Sequence, residues 1–273
     1  VVSAWKQIND GRREDVCLAV DYDVKGRVEA RFTDLVSGLK AQVSDLPSVF
    51  EATQPALGTQ RGESGADYVS RWVDDIRTSG WQVTSILGFC AGATFAAGLA
   101  SELERIHGTA PRLVLFDPET PDAMTLYYHF HRVVNGLAAG LPPSQVTDLQ
   151  AAGNRIATSD MPLDCIAVEL TSAFRDVVPV AFAAAGLDED FAEELVLTYE
   201  SFLAYLVAAT DVDPRPAWKR ATVLTSRSPH SGLNRVPDGE RAGLVAEELL
   251  FDVDHIDLLR SPEVGARVGD LLK

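Results

Sequence analysis

Apolar and polar positions in the first 120 residues switch repeatedly between two periods. Val16–Val20 (Val-Cys-Leu-Ala-Val) is an unbroken apolar run, the pattern of a buried parallel strand. Phe32, Leu35, Val36 and Leu39 fall at helical spacing. Ser48–Ala52 predicts a second strand, ended by Gln54-Pro55. Gly65–Ser79 predicts a helix with Tyr68, Trp72 and Ile76 on one stripe. Val83–Phe89 predicts a third strand, Ala91–Ile106 a helix, and Leu113–Phe116 a further strand closed by Asp117-Pro118. This alternation predicts an α/β fold, a mostly parallel sheet with helices on both faces.

The rhythm breaks after Met124. Tyr127–Leu141, Thr147–Thr158, Asp164–Ala185 and Glu189–Ala209 carry helical periodicity, separated by Pro, Gly and Asp punctuation. Alternation resumes with a strand at Ala221–Ser226, a helix at Gly239–Glu247, a strand at Glu248–Val253 and a closing helix at Pro262–Leu272. The reading is one domain over residues 1–273, with a helical lid at residues 124–211 inserted over the C-terminal edge of the sheet, where open α/β sheets place their sites. Phe130, Phe174, Phe182, Phe191, Tyr199, Phe202 and Tyr205 could line an apolar chamber, but for most of them the insertion's own core is the simpler role.

Composition narrows the function. A chain of 273 residues that is 46% hydrophobic can build one large core. A formal net charge of −16 without a basic patch argues against a nucleic-acid partner. Three cysteines, Cys17, Cys90 and Cys165, are too sparse for a disulfide framework and fit a reducing, cytoplasmic setting. The longest apolar stretch, Val177 to Leu187, is too short to cross a bilayer, so no membrane partner is expected. His129 and His131, two apart on a predicted helix, point to different faces, and no metal is expected. No cofactor is expected either: the Gly-x-Gly-x-x-Gly spacing of a dinucleotide loop is missing, which leaves a Rossmann-type oxidoreductase as a distant alternative.

The chemistry concentrates at Gly88-Phe-Cys90-Ala-Gly92. A strand enters this turn and a helix rich in small residues (Ala93, Ala96, Ala97, Gly98) leaves it, the nucleophile-elbow pattern of α/β-hydrolases with cysteine in place of serine. The helix N-terminus behind Cys90 favours a thiolate, and the Ala91 N–H is an oxyanion donor. The competing reading is one more buried apolar cysteine. Among five histidines, only His255 follows a late strand and precedes the last helix, the place of a catalytic base; alone, it would read as a surface histidine in an acidic loop. Asp117, after the strand that follows the elbow helix, could orient that histidine; the competing reading is a turn-forming Asp-Pro. The other position for an acid, after Ala221–Ser226, offers Arg227 and Ser228 and no carboxylate until Asp238. Asp252, Asp254 and Asp257 read as solvated neighbours of His255.

Together these stretches resemble the thioesterase domains of non-ribosomal peptide and polyketide synthases. The resemblance runs from Gln54-Pro55 through Tyr68-Val-Ser-Arg-Trp72 and Leu87-Gly-Phe-Cys-Ala-Gly92 to Leu113-Val-Leu-Phe-Asp-Pro-Glu-Thr-Pro121. It ends with His255-Ile-Asp-Leu-Leu259 and Ser261-Pro-Glu-Val264, and covers little of the insertion. It implies an α/β-hydrolase fold, a helical lid, a Cys90–His255–Asp117 triad and, as partner, a carrier protein bearing a phosphopantetheine-tethered acyl or peptidyl chain. Two departures stand out. The elbow usually carries serine, although cysteine variants occur. The loop after the first predicted strand, normally Pro- and Gly-containing, is Asp21-Tyr-Asp-Val-Lys-Gly26. A backbone N–H near Tyr22 or Asp23 would supply the second oxyanion donor, with the nearby carboxylates working against it. Sulfur keeps the acyl-enzyme an activated thioester, which favours macrocyclisation or lactone and lactam formation over plain hydrolysis. The alternative is a non-catalytic or weakly catalytic hydrolase-fold protein that binds an acyl carrier or a hydrophobic ligand.

Overall fold

The computed structural model describes residues 3–24 and 27–273. Its strands and helices follow the sequence pattern closely where one face is continuously buried. Strand β1 (Trp5–Asn9) comes first, then β2 (Asp15–Val20), helix α1 (Phe32–Gln42), β3 (Ser48–Ala52), α2 (Gly65–Ser79), β4 (Gln82–Phe89), α3 (Gly92–His107) and β5 (Arg112–Phe116). Four longer helices follow: α4 (Ala123–Gly136), α5 (Pro143–Ala157), α6 (Leu163–Ala185) and α7 (Glu189–Ala209). The chain then passes the single turn α8 (Arg215–Trp218), β6 (Thr222–Thr225), a 3-10 turn at Gly232–Arg235, the short α9 (Asp238–Arg241), β7 (Glu247–Leu250), a second 3-10 segment at His255–Arg260 and α10 (Pro262–Leu271).

The seven strands form one sheet in the order β1-β3-β2-β4-β5-β6-β7. All neighbours are parallel except β1, which runs antiparallel to β3. Strand β1 is absent from the pattern reading because Trp5-Lys-Gln-Ile-Asn lies at the sheet edge with Lys6 and Gln7 exposed. One expectation near the other edge also fails. The helix expected at Gly239–Glu247 is one turn, and the last strand starts at Glu247. The cause is non-local: the N–H groups of Ala246 and Glu247 donate to Ala221 O at 3.1 and 3.3 Å, drawing the segment into the sheet beside β6.

Strand β2 pairs with β3 on one side and β4 on the other. The chain order reverses there, so the carboxyl ends of β2 and β4 flank the topological switch point, where ligands bind in such sheets. Helices α1 and α10 pack together on one face, over Cys17, Ala19, Phe89 and Phe116. On the other face α2 packs on α3, joined by the Tyr68, Trp72 and Phe95 rings at 5.2–5.9 Å. Helix α2 is stopped cleanly at both ends, by a Ser64–Asp67 capping box and by Gly80 in the left-handed conformation.

Contacts divide the chain into two compact units. The sheet unit holds Val1–Gln54, Ser64–Thr120 and Asp211–Lys273; the helical unit holds Pro55–Glu63 and Pro121–Thr210. In the helical unit α6 packs on α7, with Phe174 and Tyr199 rings 4.7 Å apart, and α5 approaches α4 so closely that a Cβ at Gly153 would lie 2.4 Å from the Phe130 ring. Phe130, Phe174, Tyr199 and Tyr205 are core residues here, whereas Phe191 is 64% exposed. Glu200 receives both Arg61 and Arg175, at 2.5 and 2.6 Å. Among the described residues no helix is long and apolar enough to cross a membrane.

Gly38 sits inside α1 with open space where a Cβ would be. Gly38→Ala should therefore stabilise the protein by about 0.5–1 kcal/mol, read as a higher denaturation midpoint with an unchanged slope.

Candidate active site

The site is assembled from loops at the carboxyl ends of β2, β4, β5, β6 and β7. Cys90 lies between β4 and α3 with φ at +51°, a left-handed conformation that a non-glycine residue adopts at a cost of about 1–3 kcal/mol. The surroundings over-determine it. The Cys90 N–H donates to Phe116 O at 3.0 Å, and its carbonyl accepts from Ala93 and Glu119 at 3.1 and 3.2 Å. Both flanking glycines are sterically required. A Cβ at Gly92 would lie 2.3 Å from Val20 O, and one at Gly88 2.7 Å from the Ala93 Cα. The elbow therefore presses directly on the end of β2.

Asp117 ends β5 in a second left-handed conformation, φ +42°, and is fully buried. A buried carboxylate needs partners on both oxygens. Oδ1 accepts from the Ser226 N–H at 2.8 Å, and Oδ2 is 2.7 Å from His255 Nδ1. That contact assigns the histidine proton to Nδ1 and leaves Nε2 as an acceptor. The sequence places these two residues 138 positions apart and the fold makes them a hydrogen-bonded pair. The His255 ring stacks on Phe89, the residue before Cys90, with centroids 4.8 Å apart.

The loop after β6 supplies no acid, but it holds His255. The His255 backbone N–H donates to Ser228 Oγ at 2.9 Å, and the Asn234 side chain ties the Ser226 and Ser228 carbonyls together. The Arg227 guanidinium reaches Asp252 and Asp254 at 3.0 and 3.1 Å, and its backbone N–H donates to Val253 O. Asp252 and Asp254 are thus paired rather than merely solvated, and Arg227 holds the Asp254 carboxyl below its ordinary range. Asp257 lies 3.4 Å from Arg260. Gly232 packs against the back of Asp117, where a Cβ would lie 2.6 Å from the Asp117 Cα. None of Ser226, Ser228, Gly232 and Asn234 stands in a recognisable motif, so pattern reading passes over them.

The loop after β2 carries compensated charge. Asp21 is buried and pairs with Arg27 at 2.6 Å, and Asp23 pairs with Arg31 at 3.1 Å. Two arginines therefore offset the carboxylates expected to oppose an oxyanion. Arg27 also donates to the carbonyls of Tyr22, Glu29 and Ala30 and lies over the Phe89 ring, while Gln54 donates to Asp21 O at 2.8 Å. The Tyr22 N–H is taken by Asp21 Oδ1 at 2.7 Å, which leaves Asp23 as the better donor of the two. Lys25 and Gly26 of this loop lie outside the described residues.

The Cys90 thiol departs from expectation. It is half-buried, and enclosure first, the Glu119 carboxylate second, push it well above the ordinary thiol range despite an opposing contribution from the Ala91 N–H. The sulfur also makes a hydrogen bond to Glu119 Oε2, at 4.0 Å. These contributions favour the neutral thiol of Cys90 over the thiolate that the helix N-terminus alone would favour. No cluster of three or more metal-ligating side chains occurs among the described residues.

No family model and no curated protein matches the chain. Solved structures do. The NocB thioesterase domain, in covalent complex with a fluorophosphonate nocardicin G analogue, is 16% identical with a TM-score of 0.54, over 98% of this chain and 99% of that one. A second thioesterase domain, with genetically encoded 2,3-diaminopropionic acid bound with a dodecadepsipeptide, is 18% identical with a TM-score of 0.52, over 100% and 97%. A bromoperoxidase from Bacillus anthracis is 11% identical with a TM-score of 0.52, over 98% and 95%. At these identities the likeness is one of fold: the chain has the α/β-hydrolase fold.

Glu51, on β3 beside Ala19 of β2, is 3% exposed with one carboxyl oxygen buried and unpartnered. Burial raises it to about 7 from 4.5; Asp21 and Asp23 add to the rise, and Lys6 and Arg27 oppose it. The folded chain therefore binds a proton that the unfolded chain has released between pH 4.5 and 7. Stability should fall as pH rises through that window, by about 3 kcal/mol at most. Glu51→Gln should remove this slope and be the more stable protein at pH 8, measured by urea unfolding across the pH series.

Proposed function

We propose that this chain is a cysteine thioesterase that releases an acyl or peptidyl chain from the phosphopantetheine of a carrier protein. The observation that supports this best is the buried Asp117–His255 pair, its imidazole stacked on Phe89, the residue before a cysteine held in a left-handed elbow. The fold's occurrence in thioesterase domains supports the substrate class.

In this reading Cys90 Sγ attacks the thioester carbonyl carbon while its proton passes to His255 Nε2. The Ala91 N–H, with an N–H of the Asp21–Val24 loop such as that of Asp23, receives the developing oxyanion. The carbon–sulfur bond to the pantetheine arm breaks, and His255 returns the proton to that leaving sulfur. Water, or a hydroxyl or amine of the bound chain, then gives its proton to His255 and attacks the acyl-Cys90, and the cysteine sulfur leaves and is reprotonated. Asp117 keeps the imidazole oriented through both steps. One thioester replaces another in the first step, so the intermediate remains activated for ring closure onto a weak nucleophile.

A second reading, a hydrolase-fold protein that binds an acyl carrier or hydrophobic ligand without turnover, draws on the elevated thiol and the occupied Tyr22 N–H. Intact-protein mass spectrometry after incubation with acyl-pantetheine separates the two. The thioesterase reading expects an acyl adduct on Cys90 whose formation slows about 10²–10⁴-fold in His255→Ala. Absence of any adduct, at substrate concentrations where the thioester binds, selects the binding reading. Cys90→Ser should retain hydrolysis and lose the harder ring closure; equal product ratios from the two proteins would refute the role assigned to sulfur.

A further inference from the structure

Glu119, two residues after Asp117, is built into the elbow at several points. Its N–H donates to Cys90 O at 3.2 Å, and its carbonyl accepts from Thr94 Oγ1, in the first turn of α3, at 3.0 Å. Its side chain returns across the turn, with Oε2 4.0 Å from Cys90 Sγ and Oε1 bound by the Arg235 guanidinium. Arg235 belongs to the 3-10 turn whose Gly232 supports Asp117. Neither the fold nor the mechanism above requires a second carboxylate against the nucleophile.

We propose that Glu119 is a positioning residue that parks the Cys90 S–H in a protonated resting state, with Arg235 holding the Glu119 carboxylate in place. The inference rests on Cys90 being the reactive thiol of the proposed thioesterase. Turnover then begins with the S–H re-aimed from Glu119 Oε2 toward His255 Nε2, so the sulfur becomes nucleophilic when a substrate carbonyl is present to accept it. A parked thiol resists adventitious alkylation and oxidation, which proceed through the thiolate. The charged groups around Cys90 are Glu119, Asp21 and Asp117 on the acidic side, with Arg235 against Glu119 and Arg27 over the neighbouring Phe89. His255 stacks on that same Phe89.

The test is the pH dependence of iodoacetamide alkylation at Cys90, followed by peptide mass spectrometry in a Cys165→Ser background, because Cys165 is exposed and Cys17 is buried. Glu119→Gln should lower the apparent alkylation pKa by about one unit or more and raise the rate at neutral pH roughly tenfold. Glu119→Asp keeps the charge but withdraws it from the sulfur, and should fall between wild type and Glu119→Gln; it carries the test if Glu119→Gln does not fold. An unchanged or slower alkylation in Glu119→Gln or Glu119→Asp overturns the proposal. The readout is thiol reactivity and not thioester turnover, so this proposal and the proposed function can fail separately.

Discussion

The carboxylate of Asp117 is the constraint around which the sheet unit's site is organised. It is fully buried, and a buried carboxylate left without partners would cost several kcal/mol. Meeting that requirement fixes the geometry of three separate segments. The Ser226 N–H must face Oδ1, which sets the exit path of β6. His255 must present Nδ1 to Oδ2, which sets the start of the second 3-10 segment. Gly232 must lack a side chain, because its turn lies directly against the Asp117 backbone. The left-handed backbones of Asp117 and Cys90 are then parts of one arrangement, coupled through the Cys90 N–H to Phe116 O bond and the Glu119 N–H to Cys90 O bond.

Legibility in the sequence follows the range of the interactions involved. The elbow reads well because its requirements are local: small residues at Gly88 and Gly92, a buried strand before and a helix after, all within one window. Strands β2, β4 and β5 read well because central parallel strands are apolar throughout. The α4–α7 helices read well because each has one sustained apolar stripe. Strand β1 does not, since its half-exposed residues carry no alternation strong enough to mark an edge. The segment before β7 does not, since Ala221 on another strand decides its conformation. The histidine platform Ser226–Asn234 is invisible for the same reason: its function is carried by backbone groups and small polar side chains that no motif records.

The loop after β2 illustrates how charge counting misleads without pairing. Two aspartates in a loop expected to supply an oxyanion donor read as a defect. In the fold, Arg27 and Arg31 stand against them, and Arg27 threads three backbone carbonyls of the same loop. Glu51 has no such ion pair among the described residues and is pushed up to about 7, while burial still raises Asp21 despite Arg27, so pairing reduces the cost of a buried carboxylate without abolishing it.

The thiol of Cys90 shows why a favourable local field need not decide a protonation state. A helix N-terminus stabilises an anion by about 0.3–1 kcal/mol, and up to about 2 in partly buried settings. A carboxylate 4.0 Å away opposes the same anion. At an effective dielectric of about 20 that opposition is about 4 kcal/mol before the arginine's offset, and desolvation adds to it. The balance therefore rests with enclosure and Glu119, and both favour the neutral thiol. In the proposed reaction a neutral thiol would need the histidine at the moment of attack, as a serine hydroxyl does, and the advantage of sulfur would come afterwards, in the activated acyl intermediate.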